Sequence, residues 1–214
     1  KKLSRATSSF SGFSLFLGLD NRKSLGPKLA HHNIYFPSDY DQEFEDLFWH
    51  NRPVMDPTIY ICAPDGMVRG ESSQHLEAWS VLINAPLHQP ETGWDWRVGS
   101  EEYAEKIIDL MDRRGLNVSS RLVFKKIQTP LDLENQVLAP GGSIYGTSSN
   151  GVRAAFLRAK NRSPIKNLYC VGGSAHPGGG LPLVGMSAEI VAGLVQEDLL
   201  GKSSEAVRNH HGQH

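Results

Sequence analysis

The segment that most restricts this chain is a short apolar run, Leu168-Tyr169-Cys170-Val171, that leads straight into Gly172-Gly173-Ser174-Ala175-His176-Pro177-Gly178-Gly179-Gly180-Leu181-Pro182. It reads as strand, glycine-rich loop, helix. The helix is expected over about 183–200, with Gly201 at its end. Val184, Ala188, Val191, Ala192, Val195 and Leu199 stripe one face, and Leu183, Ile190 and Leu194 widen it, so the helix is expected to be well buried. Glycines let a backbone come close to a ligand and adopt positive φ. The free N–H groups at the start of the next helix carry partial positive charge. A phosphate-bearing or flavin-like ligand fits that arrangement, and close packing of the chain on itself is the other reading of the same glycines. The loop is neither a dinucleotide fingerprint, which needs G-x-G-x-x-G after a first strand and an acidic residue further on, nor a P-loop.

The rest of the chain reads as strands over 10–19, 32–36, 58–63, 79–85 and 122–128. Asp39-x-x-Gln42 is a capping box opening a short helix whose apolar face is Phe44, Leu47 and Phe48. Ser100 is expected to cap a helix to about Arg114, with Tyr103, Ile107, Leu110 and Met111 as its core stripe. Thr129-Pro130 opens another short helix. The fold class is α+β: a mixed, largely antiparallel sheet with packed helices. Residues 202–214 form a polar tail expected to be disordered.

Composition narrows the function. The 214 residues carry a formal net charge of −1, which excludes a strongly basic nucleic-acid binder as the default. Hydrophobic residues at 39% and charged residues at 21% fit a globular protein. No apolar run approaches the roughly 20 residues of a membrane span. Cys62 and Cys170 lie far apart in apolar runs, form no disulfide framework or zinc motif, and suit a reducing compartment. His31 and His32 are adjacent strand residues expected to face opposite sides, so no metal site is expected. His176 is a loop histidine, more simply a turn-shaping residue than an acid or base. Arg153 and Arg158 are candidates for a phosphate or a polar substrate end, with surface ion pairs as the alternative. Phe156 joins Phe10, Phe13, Phe16, Tyr35, Phe36 and Trp79 as core or ligand-lining aromatics. No catalytic residue is assigned.

The stretch Asn167 to Val184 resembles the C-terminal signature of the bacterial phytoene desaturase family, FAD-dependent carotenoid desaturases and oxidases. Ala155-Phe156-Leu157-Arg158 with Asn161-Arg162-Ser163-Pro164 resembles the segment before that signature. Ser11-Gly12-Phe13, Leu17-Gly18-Leu19, Ala30 to Phe36, Asp39-Tyr40, Asp56 to Tyr60 and Asn84-Ala85-Pro86 continue the match in family order. The resemblance implies that residues 1–150 are part of a substrate-binding domain and 151–201 the returning segment of the FAD domain. It maps Gly172, Gly173, His176, Pro177, Gly178, Gly179, Gly180, Leu181, Pro182 and Leu183 onto the flavin-facing segment, and implies Arg153, Phe156 and Arg158 as substrate neighbours. It implies a long polyene substrate dehydrogenated at a C–C bond, a cytoplasmic location with peripheral contact at the inner face of a membrane, and an N-terminal dinucleotide-binding part outside this chain. A chain lacking that part is expected to be inactive alone and to self-associate. A non-catalytic apolar-ligand or interaction module, and a saturase or amine-oxidase-like flavoenzyme, remain open as alternatives.

Overall fold

Along Ser11–Asp20 (β1) alternate side chains are apolar, and Phe13, Leu15, Leu17 and Leu19 are all buried. A strand with one apolar edge must cover that face, and strands on either side do so by continuing it. The computed structural model describes residues 8–23, 26–64, 75–91, 93–146 and 158–210, with side chains described as far as Leu200. It contains β2 (His32–Tyr35), α1 (Tyr40–Phe48), β3 (Ile59–Cys62), β4 (Leu76–Ala85), α2 (Trp96–Arg113), α3 (Val118–Arg121), β5 (Leu122–Gln128), α4 (Pro130–Val137) and α5 (Leu181–His210). The five strands make one sheet in the order β2-β3-β4-β1-β5, antiparallel at every pairing. The architecture is α+β, as the sequence implies.

The chain divides into two units. One is Phe10–Ile144; the other is Lys1–Ser9 with Tyr145–His214. In the first unit the buried face of the sheet, with Ile59, Ile61, Val81 and Ile83 beside the β1 residues, packs on Tyr103, Ile107, Ile108 and Met111 of α2. Phe13 stacks on Trp96 at 5.3 Å and meets Tyr103 edge-on at 5.0 Å. Each such fully buried side chain contributes about 1.5–3 kcal/mol.

The other face of the sheet is largely uncovered. Directly opposed residues share a face, so the register aligns Ile34, Tyr60, Leu82 and Ser14 in one row and His32, Cys62, Ser80 and Phe16 in the next. Ile34, Leu82, Phe16 and the neighbouring Phe124 are all exposed. The middle of the face carries small residues, Ser14, Gly18 and Ser80.

Several expectations shift. Helix α2 starts at Trp96 rather than after Ser100, because Asp95 accepts the Arg97 N–H as its cap and the Trp96 ring is buried. The buried face of α1 is Glu43, Asp46 and Leu47, while Phe44 and Phe48 are only half-buried. Glu43 is buried because its carboxylate accepts from the Thr58 N–H at 2.9 Å, the Thr58 hydroxyl at 2.6 Å and the Asn84 amide at 3.0 Å. Asp39 caps α1 as expected, by accepting from the Asp41 and Gln42 N–H groups. Residues 168–171 form no strand. Tyr169 makes an isolated bridge with Arg162, and Leu168 and Val171 are exposed. Helix α5 is mostly exposed rather than buried, with Ser187 its buried residue among those described. It runs past Gly201, since one glycine inside a helix costs only about 1 kcal/mol. No described helix is long and apolar enough to cross a membrane.

Candidate functional site

The glycine-rich loop lies in the second unit, held by a buried polar clasp. Asn161 is almost wholly buried, and its side-chain amide donates toward the Cys170 carbonyl at 3.0 Å, the His176 carbonyl at 2.9 Å and the Ser187 hydroxyl at 3.0 Å. The Asn161 carbonyl in turn accepts the Cys170 N–H at 2.7 Å, and Ala159 accepts the His176 N–H at 2.9 Å. Ser187, fully buried on α5, accepts the Gly172 N–H at 3.1 Å. Both ends of the loop's first half are thereby tied to one asparagine and one helix serine. A buried amide with partners on every side fixes one conformation, because leaving any of them unpaired costs about 1–3 kcal/mol.

The second half of the loop is shaped by close packing. A Cβ on Gly179 would stand 2.1 Å from the Tyr145 ring, and one on Gly178 3.3 Å from the Arg158 guanidinium. Gly178 also has φ of +142°, a conformation that L side chains rarely adopt. Arg158 donates to the Tyr145 and Gly173 carbonyls, each at 3.1 Å, so it spans the two sides of the loop. The peptide bond between His176 and Pro177 is cis. At Gly172 and Gly180, by contrast, a Cβ would meet nothing within 4 Å among the described residues, and both have positive φ. These two positions present bare backbone to open space. Gly180 accepts the Val184 N–H at 2.9 Å, and α5 begins there.

Below the loop, Asp198 on α5 accepts the Arg162 guanidinium at 2.6 Å and the Tyr169 hydroxyl. The bond to Asp198 pushes the Tyr169 phenol up from its ordinary range and also raises Arg162. The Arg162 guanidinium sits 5.9 Å from the Tyr169 ring centroid. This cluster fastens residues 162–169 to the helix that the loop opens.

The structure thus brings Gly172 to Leu183 together with Arg158. His176 is exposed and held by its backbone groups; Pro182, Leu181 and Leu183 are exposed at the start of α5. Arg153 and Phe156 lie outside the described residues. Sequence reasoning missed Asn161, Ser187 and Tyr145 as loop supports. Ser187 had a signal: it is a hydroxyl inside the apolar stretch Leu181 to Val195. Histidines 31 and 32 depart from expectation as well. His31 precedes β2, and the two rings stand 4.4 Å apart on one side.

A bare-backbone cradle opening a long helix is one feature; an antiparallel sheet with an uncovered apolar face is the other. The two features lie in different units of the chain. Comparison with known proteins gives the chain a family. No family model matches the chain. It is 33% identical over 204 residues to a 4,4'-diapolycopene oxygenase of Methylomonas sp, covering 93% of this chain and 40% of the relative. It is 32% identical to a hydroxyneurosporene desaturase of Rubrivivax gelatinosus, covering 81% of this chain and 33% of the relative. It is 36% identical to a 1-hydroxycarotenoid 3,4-desaturase of a Flavobacterium species, covering 79% and 34%. The chain belongs to the phytoene desaturase family and matches a C-terminal portion of it. It spans about 40% of the length of the first of these relatives.

Proposed function

We propose that the chain is the substrate-sheet and flavin-loop portion of a carotenoid desaturase, an oxidoreductase that removes two hydrogens from a C–C bond of a polyene. The observation that carries this reading is the loop. Gly172 and Gly180 hold positive φ and leave open space where a side chain would stand, which is the cradle a flat ring system needs. FAD, when bound, would supply the hydride acceptor. Gly172, Gly173, His176, Pro177, Gly178, Gly179, Gly180, Leu181, Pro182 and Leu183 are the residues we assign to holding it. The start of α5 contributes a partial positive charge of about half an elementary charge, which favours an electron-rich ring. The Asn161 and Ser187 clasp and the Arg158 bridge keep the loop backbone in one shape, so no reorganisation is needed when the ring arrives.

In the other unit, the uncovered face sets apolar Ile34, Leu82, Phe16 and Phe124 around small Ser14, Gly18 and Ser80, with polar His32, Tyr60 and Cys62 toward one edge and Lys126 and Gln128 toward the other. Its apolar part suits a hydrocarbon, which binds by burial of surface. The dinucleotide-binding strand and loop of the family are supplied, in this reading, by sequence outside these residues. Cells that make an acyclic carotenoid precursor and express the family-length protein carrying this chain test the reading. Extra conjugation, seen as a red-shifted visible spectrum and a product two mass units lighter per step, is expected. Unchanged carotenoids together with oxidation of an amine substrate would overturn it.

A further inference from the structure

On the sheet's uncovered face, at the outer edge, three metal-binding side chains converge. His32 and Cys62 are direct partners in the register of β2 and β3, so their side chains leave the sheet on the same face. His31 lies one residue before β2, and its carbonyl accepts the Ala63 N–H at 2.8 Å. Asn33 folds the chain there: its side-chain oxygen accepts the Ala30 N–H at 3.1 Å and its amide donates to the Ala30 carbonyl at 2.7 Å. That local bend takes His31 out of the strand's alternation and lays its ring 4.4 Å from that of His32. One donor atom each from His31, His32 and Cys62 falls within 4.8 Å of the others. The Tyr60 hydroxyl lies 2.8 Å from Nδ1 of His32.

We propose that His31, His32 and Cys62 form a binding site for a borderline-soft first-row cation, of which Zn²⁺ is the type. Two imidazoles and one thiolate are a donor set that zinc takes readily. Zinc–nitrogen bonds of about 2.0–2.1 Å and zinc–sulfur bonds of about 2.3 Å place two nitrogens and one sulfur, tetrahedrally arranged, roughly 3.3–3.6 Å apart. The three donor atoms reach that spacing by closing at most about 1.5 Å, a side-chain rotation open to exposed histidines and a half-buried cysteine. Tyr60 supplies the outer partner that a metal-bound histidine ordinarily has: with Nδ1–H of His32 donating to the phenol oxygen, Nε2 keeps its lone pair for the metal. Three protein donors leave the fourth position to water. Binding displaces the thiol proton of Cys62 to solvent and changes no oxidation state. The bound ion cross-links the beginning of the edge strand β2 to the end of β3. The site stands independently of the flavoenzyme reading.

The test is a Co²⁺ titration of the chain, followed by absorbance. A thiolate-to-cobalt charge-transfer band in the near ultraviolet, with the visible bands of four-coordinate cobalt, is expected at one equivalent. Cys62→Ser should abolish the charge-transfer band and Cys170→Ser should leave it. Tyr60→Phe should weaken binding by about tenfold, and His31→Gln or His32→Gln by more. The unaltered chain gives a second readout: Zn²⁺ should protect Cys62, and not Cys170, from alkylation measured by mass spectrometry. No charge-transfer band with cobalt in excess, a band that survives Cys62→Ser, or equal alkylation of both cysteines in Zn²⁺ would overturn the proposal.

Discussion

Replacing Asn161 with alanine removes the amide that joins three segments of the second unit. Its two amide hydrogens serve Cys170 O, His176 O and Ser187 Oγ at 2.9–3.0 Å, and the residue is 5% exposed. Two buried hydrogen bonds lost at about 1 kcal/mol each, plus one carbonyl left dry, give a destabilisation of about 2–3 kcal/mol. Ser187→Ala frees the Gly172 N–H as well, and costs about 1–2 kcal/mol. The two residues touch, so the double variant should cost less than the sum, by about 0.5–1.5 kcal/mol. Amide hydrogen exchange at Cys170, Gly172 and His176 reads this locally. In Asn161→Ala, protection should fall about 30- to 150-fold at Cys170 and His176, the equivalent of that free energy at 1.4 kcal/mol per decade, with β1 unaffected. A loss smaller than about threefold, or strictly additive single variants, would refute the clasp.

Gly179→Ala should destabilise the same unit by about 1–3 kcal/mol, because the new methyl meets the Tyr145 ring, and Tyr145→Ala in that background should restore most of the loss in a denaturant titration. In the sheet unit, Arg121→Met should cost about 3–5 kcal/mol in urea unfolding: the fully buried guanidinium serves Asn117 O, Leu116 O, Asn21 Oδ1 and Glu77 Oε2 and lies 4.9 Å from the centroid of the Trp79 ring. Asp95 is held down to about 2 by the Arg97 guanidinium and then the Arg97 N–H, with burial pulling the other way. Its folded value is below the ordinary 3.8, so the stability it gives α2 is present above about pH 4 and lost as pH falls toward 2. An NMR titration should find the Asp95 carboxyl midpoint near 2 and Arg97→Gln should return it toward 3.8; a wild-type midpoint already near 3.8 would contradict the bond.

Much of the sheet could be read from alternation alone, since Phe13, Leu15, Leu17 and Leu19 on β1 leave no choice of buried face. The α2 stripe was equally legible, and Thr129-Pro130 opened α4 through a capping box that the structure shows in both directions. What alternation could not show is polar burial. Glu43 and Arg121 are charged residues on short helices, and only tertiary partners from Thr58, Asn84, Asn21 and Glu77 make their burial affordable. The apolar count of α5 suggested a buried helix, yet most of its described side chains are exposed: apolar content says that a surface wants covering, and not what covers it. The loop's glycines were visible, and which of them serve packing was not. Gly178 and Gly179 answer to Arg158 and Tyr145, while Gly172 and Gly180 face open space. The alternation rule was applied to both histidines, yet the strand begins at His32, where the sequence places it, so the rule never covered His31, whose ring lies 4.4 Å from that of His32.

The central claim is that the Gly172–Leu183 loop holds a flavin. The most direct measurement is the flavin content of the purified family-length protein carrying this chain, in the native form and with Gly172→Val or Gly180→Val. Both positions combine positive φ with open space, so a branched side chain there would disturb the cradle and fill it. The account predicts near-stoichiometric FAD absorbance in the native protein and loss of most of it in each variant, with far-ultraviolet circular dichroism preserved. A native protein that dehydrogenates polyenes without flavin, or folded variants that keep their full flavin complement, would contradict it.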